Sequence, residues 1–361
     1  MAADIAELHG LLGVQAPIYT PEGLAPTELG YITTETNSIV DVRVRALGYI
    51  VARARADLRE KESGGPNLHL VMPNAAFDNR SYQVELRRQG RAAGVRVHVH
   101  QPDSDEEAID IVSDLSDPDR TDVHGIVTLL PTLKKEGETV IRQITHPDRD
   151  PDGASGKIIP ATSVAMLISG VCLDSLKPET EGRKALSPEE QTLAAYERFS
   201  GRTIGVSGMG ALTNKPLVEG LLCDPSIGAD NISVILATRG EVEDPEQVAR
   251  LAECDVVFAA ARRAAYIHST DLSPNAVAVD VGNTPRESDG VSTGNLHDSV
   301  FAATYETDST MSEQQQKGTA FSGSTGRLSG NIVVDRTIGE WLASRGYEAD
   351  WAQVSRALQH V

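Results

Sequence analysis

The stretch Gly201–Leu222, GRTIGVSGMGALTNKPLVEGLL, constrains the fold more than any other part of the chain. It predicts a short apolar strand over 203–206, a turn holding Gly208 and Gly210, and a helix carrying Leu217, Leu221 and Leu222. A second apolar run, 232–237, follows about one strand–helix unit later and ends in Thr238-Arg239-Gly240. Two more runs, 255–259 and 276–280, each follow a polar punctuator. Apolar strands alternating with helical stretches predict an α/β fold with a parallel, doubly wound sheet. In such a sheet the ligand lies beyond the carboxyl ends of the strands, where the first turn and helix N-terminus suit a pyrophosphate.

The glycine turn is an incomplete G-x-G-x-x-G, because its third position falls on Thr213. By itself it is equally a tight turn that binds nothing. Strand, turn, helix, strand and basic residue in that order point instead to a dinucleotide. A guanidinium at Arg239 suits a ribose 2′-phosphate and so predicts NADP, while Glu241 keeps NAD open. The candidate cofactor-binding residues are Gly208, Met209, Gly210, Ala211 and Leu212 in the turn, Thr238 and Arg239, and Ala260, Gly282 and Asn283 after the later strands.

With 361 residues the chain can bury two cores. Its net charge of −19 disfavours nucleic acid and anionic membrane as partners. Cys172, Cys223 and Cys254 fit neither a disulfide framework nor zinc spacing, and they are expected as small buried hydrophobes in a reducing cytoplasm. No stretch reaches membrane-spanning length.

Along the rest of the chain, 1–30 reads as an irregular extension and 38–62 as an amphipathic helix. Strands are expected at 68–72, 95–100 and 123–130, and helices at 82–93, 106–115, 138–144 and 164–171. His98 and His100 share a strand face; with no third ligand near in sequence they predict a solvent-side pair, not a metal site. A charged insertion covers 177–200, a polar surface loop 305–318, a flexible turn 322–326, and helices 332–343 and 351–358. The expected domains are 31–176 with 330–361, and 201–329.

Several segments then fall into one order: Tyr82 on a helix, His124-Gly125-Ile126 leading to Leu130-Pro131, Arg149-Asp-Pro-Asp-Gly153, Pro160-Ala-Thr162, the Gly201–Pro216 turn and Val279-Asp-Val-Gly282. Over roughly 31–342 this resembles the bifunctional methylenetetrahydrofolate dehydrogenase/cyclohydrolase family. The resemblance implies an N-terminal folate domain, a Rossmann domain, a cleft between them and a homodimer. By position it assigns Tyr82 to orienting the pterin and Asp152 to its amino-pyrimidine edge as the catalytic pair. Leu86, Leu129, Pro131 and Thr162 join them in the substrate pocket.

The departures from that pattern shape the expected chemistry. Leu86 stands where the family has its catalytic lysine, and Leu129 where it has a glutamine. Met209 replaces a basic residue and Asn214 a glycine. The C-terminal glycine-rich element shrinks to Gly323-Ser-Thr-Gly326-Arg-Leu-Ser329. Hydride loss from a methylene flanked by two nitrogens moves no proton and depends mainly on positioning. Hydrolysis of the resulting methenyl cation needs a group that handles protons. The sequence therefore predicts a dehydrogenase with weak or lost cyclohydrolase activity. Two alternatives stay open: the same redox chemistry on another small substrate, and a folate- or nucleotide-binding protein without turnover. Lys157 and Lys215 are the candidates to replace the missing lysine.

Overall fold

The computed structural model describes residues 51, 65–73, 77–129, 135–175, 202–210, 212–222, 232–233, 249–261, 263–273, 276–281, 284–285, 292–297, 299–300, 320–322 and 324–346. The predicted features at 1–30, 177–200, 305–318 and 351–358, and the 38–62 helix apart from Val51, lie outside them. The chain divides into two compact units, one containing 38–161 and 327–361, the other 162–326.

In the first unit, strand β1 (Asn67–Val71) pairs in parallel with β2 (Arg96–His100) on one side and β3 (Gly125–Thr128) on the other. Helices α1 (Phe77–Ala92) and α2 (Asp105–Leu115) connect them, and α3 (Lys135–Ile144) follows. Gly94 closes the turn after α1 at φ +77°, a conformation that favours glycine. Ser104 caps α2 by accepting the N–H of Glu107. Ala108, Val112 and Leu115, spaced i, i+4, i+7, then pack against Val71 and Ile126.

The β2 pair keeps a solvent side, with His98 exposed and His100 half-buried, but it is joined by a third, buried histidine that the sequence did not single out. Parallel register sets His69 of β1 beside His98, and the His69 ring stacks on both His98 and His100. His69 Nδ1 lies 3.0 Å from His100 Nε2, and His69 is 7% exposed. The cluster is a ladder of stacked neutral rings. Among the described residues no group of three or more His, Cys, Asp or Glu is arranged to hold a metal ion.

Burial, then the neighbouring His98 and His100, holds His69 down to about 3; burial likewise lowers His98 and His100. The folded state must therefore keep His69 neutral, whereas the unfolded chain protonates near pH 6.5. Stability is full above that pH and falls below it, by about 1.4 kcal/mol per pH unit for His69. Urea midpoints measured from pH 7 to 4.5 should show this decline, and His69→Gln should make it shallower.

The second unit holds a five-stranded parallel sheet in the order β10-β7-β6-β4-β5, comprising β4 (Ile204–Ser207), β5 (Ile232–Ser233), β6 (Val256–Ala259), β7 (Val277–Asp280) and β10 (Ala320–Ser322). A small hairpin, β8 (Thr284–Pro285) with β9 (Ser292–Thr293), lies apart from it. Alternate residues feed the two faces: Val256 and Phe258 join one core cluster, Val257 and Ala259 the other. Cys254 is buried, as expected, and burial pushes its thiol up to about 11. Helix α4 (Ala161–Ser175) groups with this unit rather than with the first, because Met166 packs into the cluster around Val206 and Phe258.

Where a flexible turn was expected at 322–326, the described residues 322 and 324–326 belong to a strand and a helix. Ala320–Ser322 pairs with β7, and helix α5 begins at Ser324 and runs to Ala343. Among the described residues no helix is long and apolar enough to cross a membrane.

Candidate functional site

Two sites take shape, one in each unit. In the first, α1 and the part of α5 from Arg327 onward meet through a run of polar contacts. The Tyr82 hydroxyl lies 3.2 Å from Ser329 Oγ. Two turns on, Gln89 Nε2 donates to the Arg327 carbonyl at 2.8 Å and to Glu85. Glu85 also accepts from Arg88 and Arg327. Burial alone would raise the Glu85 carboxyl, but hydrogen bonds from Arg88, Gln89 and Arg327 outweigh it and hold it at about 2.

Leu86, four residues after Tyr82 and on the same helix face, is fully buried. Its Cδ2 lies 3.5 Å from the Cβ position of Gly330 on α5. Leu129, beyond the end of β3, is also buried. The two candidate replacement lysines, Lys157 and Lys215, are both exposed. Pro131 lies outside the described residues, and Thr162 is half-buried near the start of α4.

The turn after α3 is tied from several sides. Arg149 donates to the carbonyls of Leu115, Asp117 and Pro118; Arg142 donates to Ala154 O, and Arg336 to Pro151 O at 2.9 Å. Gly153 sits at φ +77°, where a Cβ would lie 2.7 Å from Pro160 Cα. Asp150, not Asp152, builds this turn: its carboxylate accepts from the N–H groups of Gly153, Ala154 and Ser155. The Asp152 side chain is buried, and no hydrogen bond to its carboxylate is found among the described residues. Burial, then the Asp150 charge, pushes its pKa up to about 6, against the opposing pull of Arg336 and Arg142. Burial and the nearby Asp152 push the Tyr82 hydroxyl up strongly, so it stays a neutral phenol.

The second site is the glycine turn after β4. Gly208 has φ +81°, and a Cβ there would lie 2.7 Å from the backbone N and Cα of Ala261 beyond β6. The turn is thus packed backbone to backbone. Asn214 is fully buried, and its Nδ2 lies within hydrogen-bonding distance of the carbonyls of Ser207, Gly208 and Phe258, at 2.8, 2.7 and 3.1 Å. It therefore braces the carboxyl ends of β4 and β6. Asn214→Ala is expected to lower unfolding stability by about 1–2 kcal/mol, read from the urea midpoint. Ser163 at the start of α4 donates to the Thr213 carbonyl at 2.7 Å, a contact sequence reasoning missed.

Met209, half-buried, packs its side chain against the core cluster and offers a ligand no side-chain charge. Among the described residues, the N–H groups of Met209, Gly210 and Leu212 have no acceptor. Three donors on a glycine turn that admits no Cβ at Gly208 fit a pyrophosphate. Ala260 closes the neighbouring strand end by donating its N–H to Ser207 O at 2.8 Å. Asn295 shapes the loop beyond it through both main-chain groups of Ala261 and the Arg263 carbonyl. Ala211, Thr238, Arg239, Gly282 and Asn283 lie outside the described residues.

No family model matches the sequence. The bifunctional protein FolD of Caulobacter vibrioides is 27% identical over 244 residues, 64% of this chain and 74% of that protein. A methylenetetrahydrofolate dehydrogenase from the silkworm Bombyx mori shares the fold at TM-score 0.60 and 16% identity, covering 87% of this chain and 97% of the other. The Trypanosoma brucei methylenetetrahydrofolate dehydrogenase-cyclohydrolase, solved with NADP and an inhibitor, gives TM-score 0.58 at 15% identity, covering 85% and 96%.

Proposed function

We propose that this chain, a divergent relative of the methylenetetrahydrofolate dehydrogenase/cyclohydrolase family, is an NADP-dependent dehydrogenase that oxidises methylenetetrahydrofolate to the methenyl compound with little or no cyclohydrolase activity. The observation that carries this reading is the pairing of a retained Asp152 with a buried Leu86. Asp152 keeps a carboxylate that its own turn does not use, suited to two parallel N–H donors of an amino-pyrimidine edge. Tyr82, a neutral phenol anchored on Ser329, orients the ring beside it.

The main-chain N–H groups of Met209, Gly210 and Leu212 would hold the cofactor's pyrophosphate. A bound nicotinamide would accept a hydride from the methylene carbon. The chain's own contribution to that step is position, which needs no proton carrier. Hydrolysis would need one near position 86, and Leu86 supplies none.

Mixing the protein with methylenetetrahydrofolate and NADP, or NAD in parallel, separates the two activities. Reduced cofactor and methenyl absorbance should rise together, and the methenyl signal should then decay no faster than in buffer. Methenyl decay faster than the buffer blank refutes the lost hydrolase. The buried leucines at 86 and 129 also favour a second reading, the same hydride chemistry on a less polar substrate. In that case NADP binds but methylenetetrahydrofolate gives no reduced cofactor.

A further inference from the structure

We infer that Arg336 is a positioning residue of the first site: anchored on the carbonyl of Pro151, the residue before Asp152, it keeps the Asp152 carboxylate in place and charged to receive paired N–H donors. The choice of an amino-pyrimidine as the ligand rests on the proposed function; the relation between the two side chains does not.

Helix α5 places Arg336 where it can act. Ser329 and Arg336 are seven residues apart, two turns of helix, and so lie on one face. That face touches the site twice, through Tyr82 at Ser329 and through Pro151 at Arg336. The Pro151 carbonyl immediately precedes Asp152, so the Arg336 anchor bears on the residue whose side chain matters. The Asp150 carboxylate, committed to three main-chain donors, lies beside it and opposes its charge. A second, buried carboxylate so placed tends to take up a proton, and a protonated Asp152 could no longer accept two N–H groups.

The charged and titratable groups that act on Asp152 are Asp150 from its own turn, Arg336 from α5 and Arg142 from α3, with Tyr82 of α1 adjoining. Arg336 is the leading opposing charge among them. Arg142 is anchored one step further along, on the Ala154 carbonyl. Arg336 makes no ion pair with Asp152, and among the described residues its guanidinium has a single acceptor, Pro151 O. The carboxylate therefore feels the charge without spending its lone pairs on it. The signal was absent from the sequence, where Arg336 is one of many arginines on a helix of unremarked face.

The test is a titration of ligand-free, full-length protein by carboxyl carbon NMR, with the Asp152 signal assigned by its loss in Asp152→Asn. The wild-type midpoint is expected near pH 6. In Arg336→Gln it should rise by about one pH unit or more, and in Arg336→Lys, which keeps the charge, by no more than about half as much. Arg336→Met serves if the glutamine variant does not fold, as judged by circular dichroism. An unmoved midpoint in the uncharged variants overturns the inference, as does a rise in Arg336→Lys as large as theirs. Tetrahydrofolate binding followed across the same pH range should lose its acid limb at the same midpoints. A shifted midpoint without any tetrahydrofolate binding leaves the Arg336 inference standing and removes the folate reading.

Discussion

Leu86→Lys is expected to speed hydrolysis of methenyltetrahydrofolate by about 10²-fold or more over wild type, the range in which one placed acid–base group acts. Position 86 lies one helical turn from Tyr82, on the face that meets α5 at Gly330. An ammonium there would find a waiting acceptor. Gln89 Oε1 is buried without a hydrogen-bond partner among the described residues, and its neighbour on the same amide, Nε2, lies, like Leu86, 3.5 Å from the Cβ position of Gly330. The substitution also carries a cost. A fully buried leucine gives way to a cation, which should lower stability by about 2–4 kcal/mol and depress the lysine pKa toward neutrality. That depression helps, because a base near pH 7 exchanges protons most usefully. Stopped-flow decay of methenyl absorbance, corrected for buffer, measures the gain. A folded Leu86→Lys protein that still oxidises methylenetetrahydrofolate but hydrolyses no faster would show that more than a lysine is missing.

What the sequence made legible was local. Every strand of the two sheets except β10 stands out, because buried parallel strands read as continuous apolar runs, as in Leu70-Val71 and Val256-Val257-Phe258. Leu86 was legible because the family resemblance marks the position four residues after Tyr82, and helical spacing keeps the two on one face. The histidine ladder was not, since His69 meets His98 only through a strand register that brings together residues far apart in the chain. The start of α5 was hidden for a different reason. Residues 328–335 are buried on every side, so no amphipathic period marks them, and glycines at 323, 326 and 330 suggest a turn instead. With that start went Ser329, while Arg336 lay on the predicted part of the helix with nothing to mark its role. The division of labour between Asp150 and Asp152 was equally unreadable: two carboxylates two residues apart look alike until the turn shows which one its main chain has claimed.

The second large effect is expected at Gly208. A Cβ there meets two independent obstacles, and a comparison within the same chain separates them. Gly156 has φ +77° with nothing within 4 Å of its Cβ position, so Gly156→Ala should cost only the strained conformation, about 1 kcal/mol. Gly208 has φ +81° and its Cβ would lie 2.7 Å from backbone atoms of Ala261, which cannot rotate aside as a side chain would. Gly208→Ala must therefore part the ends of β4 and β6, working against Asn214, which holds Ser207 and Phe258 together. A loss of about 2–4 kcal/mol follows. The same displacement moves the unengaged N–H groups of Met209 and Gly210, so NADP affinity, read by fluorescence titration, should fall at least about tenfold, a difference of about 1.4 kcal/mol. Equal losses in the two alanine variants would mean that strand-end packing adds nothing beyond the backbone strain. A folded Gly208→Ala protein with undiminished NADP affinity would place the pyrophosphate away from this turn.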